Sequence, residues 1–156
     1  MDTLGPVTER QSGGGPARTH QRVAVYGICE DGRGADGRVL LVRAAPYLTV
    51  AGRWFLPGGG IDHGEDPVTA LGREFAEETG LHVEVGALRG VLSDVITLPD
   101  GGSLHTVRIV YGIDAFMGDL RDEADGSSDA ARWFPVAGIL DLPLMPYVKR
   151  ALTDLR

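Results

Sequence analysis

Glu74, Glu77 and Glu78 follow Arg73 in the run REFAEETG. At about 100° per residue on an α-helix, the three carboxylates share roughly 100° of circumference. Such a face is costly. Like charges three and four residues apart each destabilise a helix by about 0.2–0.5 kcal/mol. Glu77 and Glu78 also fall in the last turn, where the helix dipole disfavours an anion by about 0.3–1 kcal/mol. Arg73 can relieve Glu77 four residues on, but one cation does not balance three acids. A divalent cation would supply the missing charge, and a local rule broken without local compensation marks a functional site. The bland alternative is a solvated acidic helix. The preceding glycine run argues against it, because Pro57-Gly58-Gly59-Gly60 permits close approach of a phosphate or metal to the backbone. Glu65, just ahead of the helix, can fold back towards the same region.

The elements that must hold these groups follow from patterning. A helix is predicted over residues 67–79: Asp66 suits the N-cap, Pro67 the first helical position and Gly80 the residue past the end. Val68, Leu71 and Phe75 share its apolar face, which puts the acids at the rim of the core. Apolar, β-rich runs predict strands at 22–30, which reads as covered on both faces, at 39–42 and at 54–56. Further strands are expected at 82–85, 88–97 and 106–116, the last two joined by a turn at 99–102 as an antiparallel pair. Residues 117–129 read as a polar, acidic loop, 132–134 as a short strand, 136–140 as a helical turn and 147–155 as a terminal helix. There is no internal repeat and no sign of a second hydrophobic core. Strands on either side of one long helix, then a terminal helix, predict an α/β fold with a mixed sheet between helices.

The chain has 156 residues, 43% hydrophobic and 24% charged, which suits one globular domain. Residues 1–20 are polar and rich in Gly and Pro, so they read as a disordered leader before a domain at 21–156. No apolar stretch is long enough to span a bilayer. A single Cys29 cannot form an internal disulfide and reads as a buried thiol, which together with the missing signal points to the cytoplasm. The net charge of −7 argues against long DNA or RNA as a partner, while a small phosphorylated ligand bridged by cations remains compatible.

The central segment resembles the Nudix box, G-x5-E-x7-R-E-U-x-E-E-x-G-U with U a bulky apolar residue. Gly59, Glu65, Arg73-Glu74-Phe75, Glu77-Glu78 and Gly80-Leu81 match every fixed position. Trp54-Phe55-Leu56-Pro57-Gly58-Gly59 looks like the family's usual lead-in, and Arg132-Trp133-Phe134-Pro135 is similar to a downstream family segment. The resemblance implies a Nudix-type α/β/α sandwich covering nearly everything after residue 21. It implies a Mg²⁺-dependent hydrolase, with Mn²⁺ as a substitute, that cuts a pyrophosphate bond in a nucleoside diphosphate linked to another group. ADP-ribose, another nucleotide sugar, a dinucleotide and a modified nucleoside triphosphate all stay open, and the products would be a nucleoside monophosphate and a phosphorylated remainder. The alternative is a nucleotide sensor that keeps the fold without turnover.

Carried over by position, the resemblance makes Glu77 and Glu78 the core metal ligands, with Glu74 a ligand or the general base. The Gly58 carbonyl would add a backbone ligand, Arg73 would orient the glutamates, and Gly59 and Glu65 would organise the loop. Members often recruit another acid from a later loop. Asp122, Glu123, Asp125 and Asp129 are the candidates, and Glu123 is the preferred one. Asp62, where many members have Glu, reads as loop structure. His63 could touch a phosphate, although a surface role is the plainer reading, as it is for His82 and His105. Tyr47, Trp54 and Phe116 could stack on a base but read first as core. Arg43, Arg53 and Arg108 could grip a distal phosphate but read first as surface charges. The loop at 47–53 could shape the pocket. Homodimers are frequent among members, so the resemblance also raises a homodimer, which no residue pattern here decides.

Overall fold

The computed structural model describes residues 8–9 and 18–156. Most of the expected leader lies outside them. Within it, β1 (Thr8–Glu9) pairs with β2 (Thr19–Ile28). β2 begins three residues before the expected start, because pairing with β8 (Ser103–Met117) runs on to Thr19↔Ser103.

Two sheets make up the β layer. In the first, the order is β1-β2-β8 and then β7 (His82–Thr97), with β6 (Gly58–Gly60) on β2 as well. β2 and β8 are parallel and the other pairs antiparallel, so the sheet is mixed. The second sheet is antiparallel: β4 (Arg38–Ala44) is flanked by β3 (Glu30–Asp31), β5 (Trp54–Phe55) and β9 (Ser128–Pro135).

Strand periodicity divides the core. Ala24, Tyr26 and Ile28 of β2, with Val39 and Leu41 of β4, pack towards Tyr147, Val148, Ala151 and Leu152 of α2 (Pro146–Asp154). The alternate residues Val25, Cys29 and Leu40 pack towards Ala70, Leu71 and Phe75 of α1 (Pro67–Thr79). Sequence patterning suggested one core. The β layer splits it into two apolar clusters, one under each helix, which is the physical content of an α/β/α sandwich. Cys29 is buried, and desolvation pushes its thiol up to about 12.

Several elements differ in extent from expectation. The two strands predicted at 82–85 and 88–97 are one, because bulges between Glu84 and Gly90 absorb the polar break without ending the ladder. The 99–102 turn closes the β7–β8 pair, with Asp100 accepting the Gly102 amide. β9 starts at Ser128, inside the expected acidic loop, because it pairs with β4 as far as Ala44. Val68 is 42% exposed although it shares the helical face of Leu71, since it lies in the first turn of α1.

Candidate active site

α1 is fixed at both ends. The Asp66 carboxylate accepts the amides of Val68 and Thr69, Pro67 occupies the first turn, and Gly80 closes the helix at φ +75°. Leu71 and Phe75 anchor it on β2, which aims the acidic face at β6.

Glu78 goes deeper than the rim predicted for it. Its side chain is buried, and its carboxylate accepts the Gly58 amide at 3.0 Å. No ion pair reaches it among the described residues. Desolvation first, and the neighbouring Glu74 second, push its pKa well above the carboxylate range. Glu74 lies against Gly59, where an added Cβ would stand 2.7 Å from Glu74 Oε1. Burial raises Glu74 to about 7, even though Arg73 pulls in the other direction. Glu77 is half exposed and 3.4 Å from Arg73.

Arg73 is the hub. Its guanidinium donates twice to Glu65, once to Glu74 at 3.0 Å and once to the Gly60 carbonyl at 3.3 Å, with Asp62 at 3.7 Å. These partners hold its pKa above the ordinary value, Glu65 contributing most. Glu65 also accepts the Asp62 amide at 3.2 Å, and the Arg73 hydrogen bonds hold its carboxyl below the usual range. One cation thus ties the glycine loop to the helix.

A cleft of about 1120 Å³ opens beside this face. Gly58–Gly60, Glu74 and Glu77 line one wall, and the loop at 44–50 and residues 123–129 line others. Of the four late-loop acids, Asp122 pairs with Arg132 at 2.6 Å and Asp129 with Arg43 at 2.8 Å. Glu123 lines the cleft with no ion pair among the described residues, held by the Ser128 amide at 3.3 Å and the Ser128 hydroxyl at 2.9 Å. Asp125 lines it too. Tyr47 is on the cleft and donates its hydroxyl to the Gly126 carbonyl at 2.7 Å, linking the two walls.

Other candidates lie elsewhere. Trp54 packs edge-on against Phe134 and Phe116 against Trp133, both outside the cleft lining. His63 and His82 are exposed, and His105 meets Gln21. Arg53 donates to the Leu144 carbonyl. Arg108 is not a surface charge: it is buried, lines the cleft and pairs with Asp94 at 2.7 Å. Arg22, Tyr26 and Tyr147 were missed as cleft residues. The usable signal was the phase of β2, since Arg22 is two residues from Ala24 and four from Tyr26 and so shares their face.

The donors near the acidic face are all hard oxygens, the type Mg²⁺ takes. Among the described residues, no three His, Cys, Asp or Glu side chains converge as a ready cage. The fit rests instead on charge: half-buried Glu74 and fully buried Glu78 are neighbours, and among the described residues only Glu74 of the two meets a guanidinium. A cation at this face would stabilise both ionised forms.

Residues 19–155 match the family model described as NUDIX domain. The chain is 38% identical over 104 residues to the ADP-ribose pyrophosphatase of Methanocaldococcus jannaschii, covering 65% of this chain and 56% of that one. It therefore spans only about half the length of that relative. It is 43% identical over 118 residues to a Mycobacterium tuberculosis protein named "Putative 8-oxo-dGTP diphosphatase 2", covering 75% and 78% of the two chains. The crystal structure of a MutT NUDIX hydrolase from Burkholderia pseudomallei superposes with a TM-score of 0.69 at 30% identity, covering 87% of this chain and 98% of that one.

Proposed function

Because the chain belongs to the Nudix family, we propose that it is a Mg²⁺-dependent pyrophosphohydrolase acting on a nucleoside diphosphate linked to another group. Its products would be a nucleoside monophosphate and the phosphorylated remainder. The observation that carries this reading is the pair of half-buried Glu74 and buried Glu78 beside the Gly58–Gly60 turn and a cleft of about 1120 Å³. Two acids held where burial raises both of their pKa values are stable as anions only beside added positive charge.

In this proposal Glu77, Glu78 and the Gly58 carbonyl hold the metal, with Glu74 a further ligand or the general base. A bound Mg²⁺ supplies neutralisation of the phosphoryl oxygens and acidifies water beside them. Arg73 keeps Glu74 and Glu77 oriented, and Glu65 and Gly59 keep the loop in place. Glu123 is the preferred late-loop acid: it lines the cleft together with Asp125 and Asp129, and of these Asp129 is paired with Arg43. The names of the two relatives support ADP-ribose and oxidised nucleoside triphosphates as the first substrates to try. The proposal includes Mn²⁺ as a substitute metal, a cytoplasmic location, a homodimer, and no long nucleic acid as partner. Among the described residues, no helix is long and apolar enough to cross a membrane.

The test is a panel of nucleoside diphosphate derivatives and modified nucleoside triphosphates incubated with the full chain and Mg²⁺, with products resolved by chromatography. Monophosphate release that stops with chelator is the expected result. Binding without cleavage of any member would favour a sensor, and cleavage indifferent to chelator would exclude metal-assisted hydrolysis.

A further inference from the structure

The floor of the cleft carries charge opposite in sign to its acidic wall. β2 and β8 run parallel with Arg22 level with Thr106 and Ala24 level with Arg108. Arg22 and Arg108 therefore rise from one face of neighbouring strands, two residues apart in register. Both line the cleft, as do Tyr26 and Tyr147, whose rings lie 5.0 Å apart.

These groups are incompletely satisfied. Among the described residues, the buried side-chain atoms lacking a hydrogen-bond partner are Arg22 Nε, Arg108 Nε and the Tyr147 hydroxyl. The hydroxyl lies near the Leu56 backbone but forms no well-aligned bond with it. Arg108 is balanced by Asp94 at 2.7 Å and stacks 4.3 Å over the Tyr147 ring. Arg22 has no carboxylate within ion-pair distance among the described residues; its neighbours are the Tyr26 hydroxyl, then Tyr147, then Glu74. Buried donors without acceptors are costly, and a charged one more so. Three such donors on one patch of one cleft call for a single ligand rich in acceptors.

We propose that Arg22, Arg108 and Tyr147 form an anion subsite that grips a phosphoryl group of the substrate, with Arg22 as its main anchor. An anion set between this floor and the acidic wall is held from both sides: by guanidinium forks below, and by cations on the glutamates beside it. The identity of the anion as part of a diphosphate rests on the hydrolase reading above; the subsite itself does not.

Inorganic pyrophosphate titrated calorimetrically into the full chain in Mg²⁺ buffer is the test. Arg22→Gln should weaken binding about tenfold or more, since a charge-assisted pair is lost, while the melting temperature holds. Arg22→Lys keeps the charge without the fork, and should weaken binding several-fold if Arg22→Gln fails to fold. Wild-type affinity in either folded variant, or no pyrophosphate binding by the wild type, overturns the subsite. Arg22-dependent binding by a chain that cleaves nothing in the nucleotide panel would sink the hydrolase reading alone. Turnover with pyrophosphate affinity indifferent to Arg22 would sink the subsite alone.

Discussion

The Arg73 guanidinium meets the Glu65 carboxylate through two parallel hydrogen bonds, Nε to Oε2 and Nη2 to Oε1, both 2.9 Å. This fork staples the loop before α1 to its middle turns, and the remaining Nη1 reaches Glu74. A lysine cannot make both sets of bonds. Arg73→Lys should therefore lower kcat about 10–100-fold, the usual effect of losing a group that orients metal ligands. The melting temperature should drop by only a few degrees, because the pair is partly solvated. Steady-state kinetics and thermal melts read the two effects separately, and an unchanged kcat would remove Arg73 from the mechanism.

Gly58 and Gly59 are neighbours with different tolerances. A Cβ on Gly58 would stand 2.1 Å from the Val25 carbonyl oxygen, at a φ of +145° that L-residues avoid. Gly58→Ala should cost about 3 kcal/mol or more of stability, since backbone must move. For a Cβ on Gly59 the three nearest atoms all belong to the Glu74 carboxylate, the first at 2.7 Å, and that side chain can swing. Gly59→Ala should fold nearly normally and lose about tenfold or more in turnover through displaced Glu74. Denaturant melts alongside kinetics discriminate the pair, and equal destabilisation by both would contradict the assignment.

Stability should depend on pH in an unusual direction when metal is absent. Glu74 is raised to about 7 and Glu78 well above the ordinary carboxylate value, so the folded state holds protons that the unfolded state has lost. Their contribution is fully present below the unfolded value of about 4.5 and disappears as pH climbs through the folded values. In chelator, the melting temperature should fall from pH 5 to pH 8, and saturating Mg²⁺ should flatten that fall. Glu78→Gln should flatten it without metal, while cutting turnover about 10²–10³-fold. A wild-type melting temperature that rises over this interval in chelator would show that the acids are not strained by burial.

The short β1 pairs with β2 through only two residues. Removing residues 1–17 should thus shift the melting temperature by no more than about 2–4 °C. A larger drop in a thermal melt would mean that the segment packs on the domain.

The helix was legible from both ends because Asp66, Pro67 and Gly80 are local signals that do not depend on tertiary contacts. The acids on it were legible for the same reason: their cost is set within the helix. The depth of Glu78 was not, because burial depends on how closely β6 approaches, and that is set by the Gly58 amide meeting its carboxylate. Strand extents were misjudged where partners decide them. β9 runs to Ser128 only because β4 is there to pair with it. Among the late-loop acids, spacing offered no choice, whereas ion pairs to Arg132 and Arg43 separate Asp122 and Asp129 from Glu123. Arg108 was misread as a surface charge because a lone arginine in a strand carries no sign of which face it serves.

In its buried half β2 turns Val25 towards one helix and Ala24, Tyr26 and Ile28 towards the other, with Arg22 and Tyr26 on the cleft. Core and chemistry are therefore written on the same ribbon, the cleft residues in phase with one apolar layer and out of phase with the other. An insertion of one residue ahead of Val23 would leave the apolar layers intact but turn Arg22 away from the ligand, whereas an insertion after it would exchange the two layers outright. The strand can tolerate changes of size at many positions, but not a change of parity.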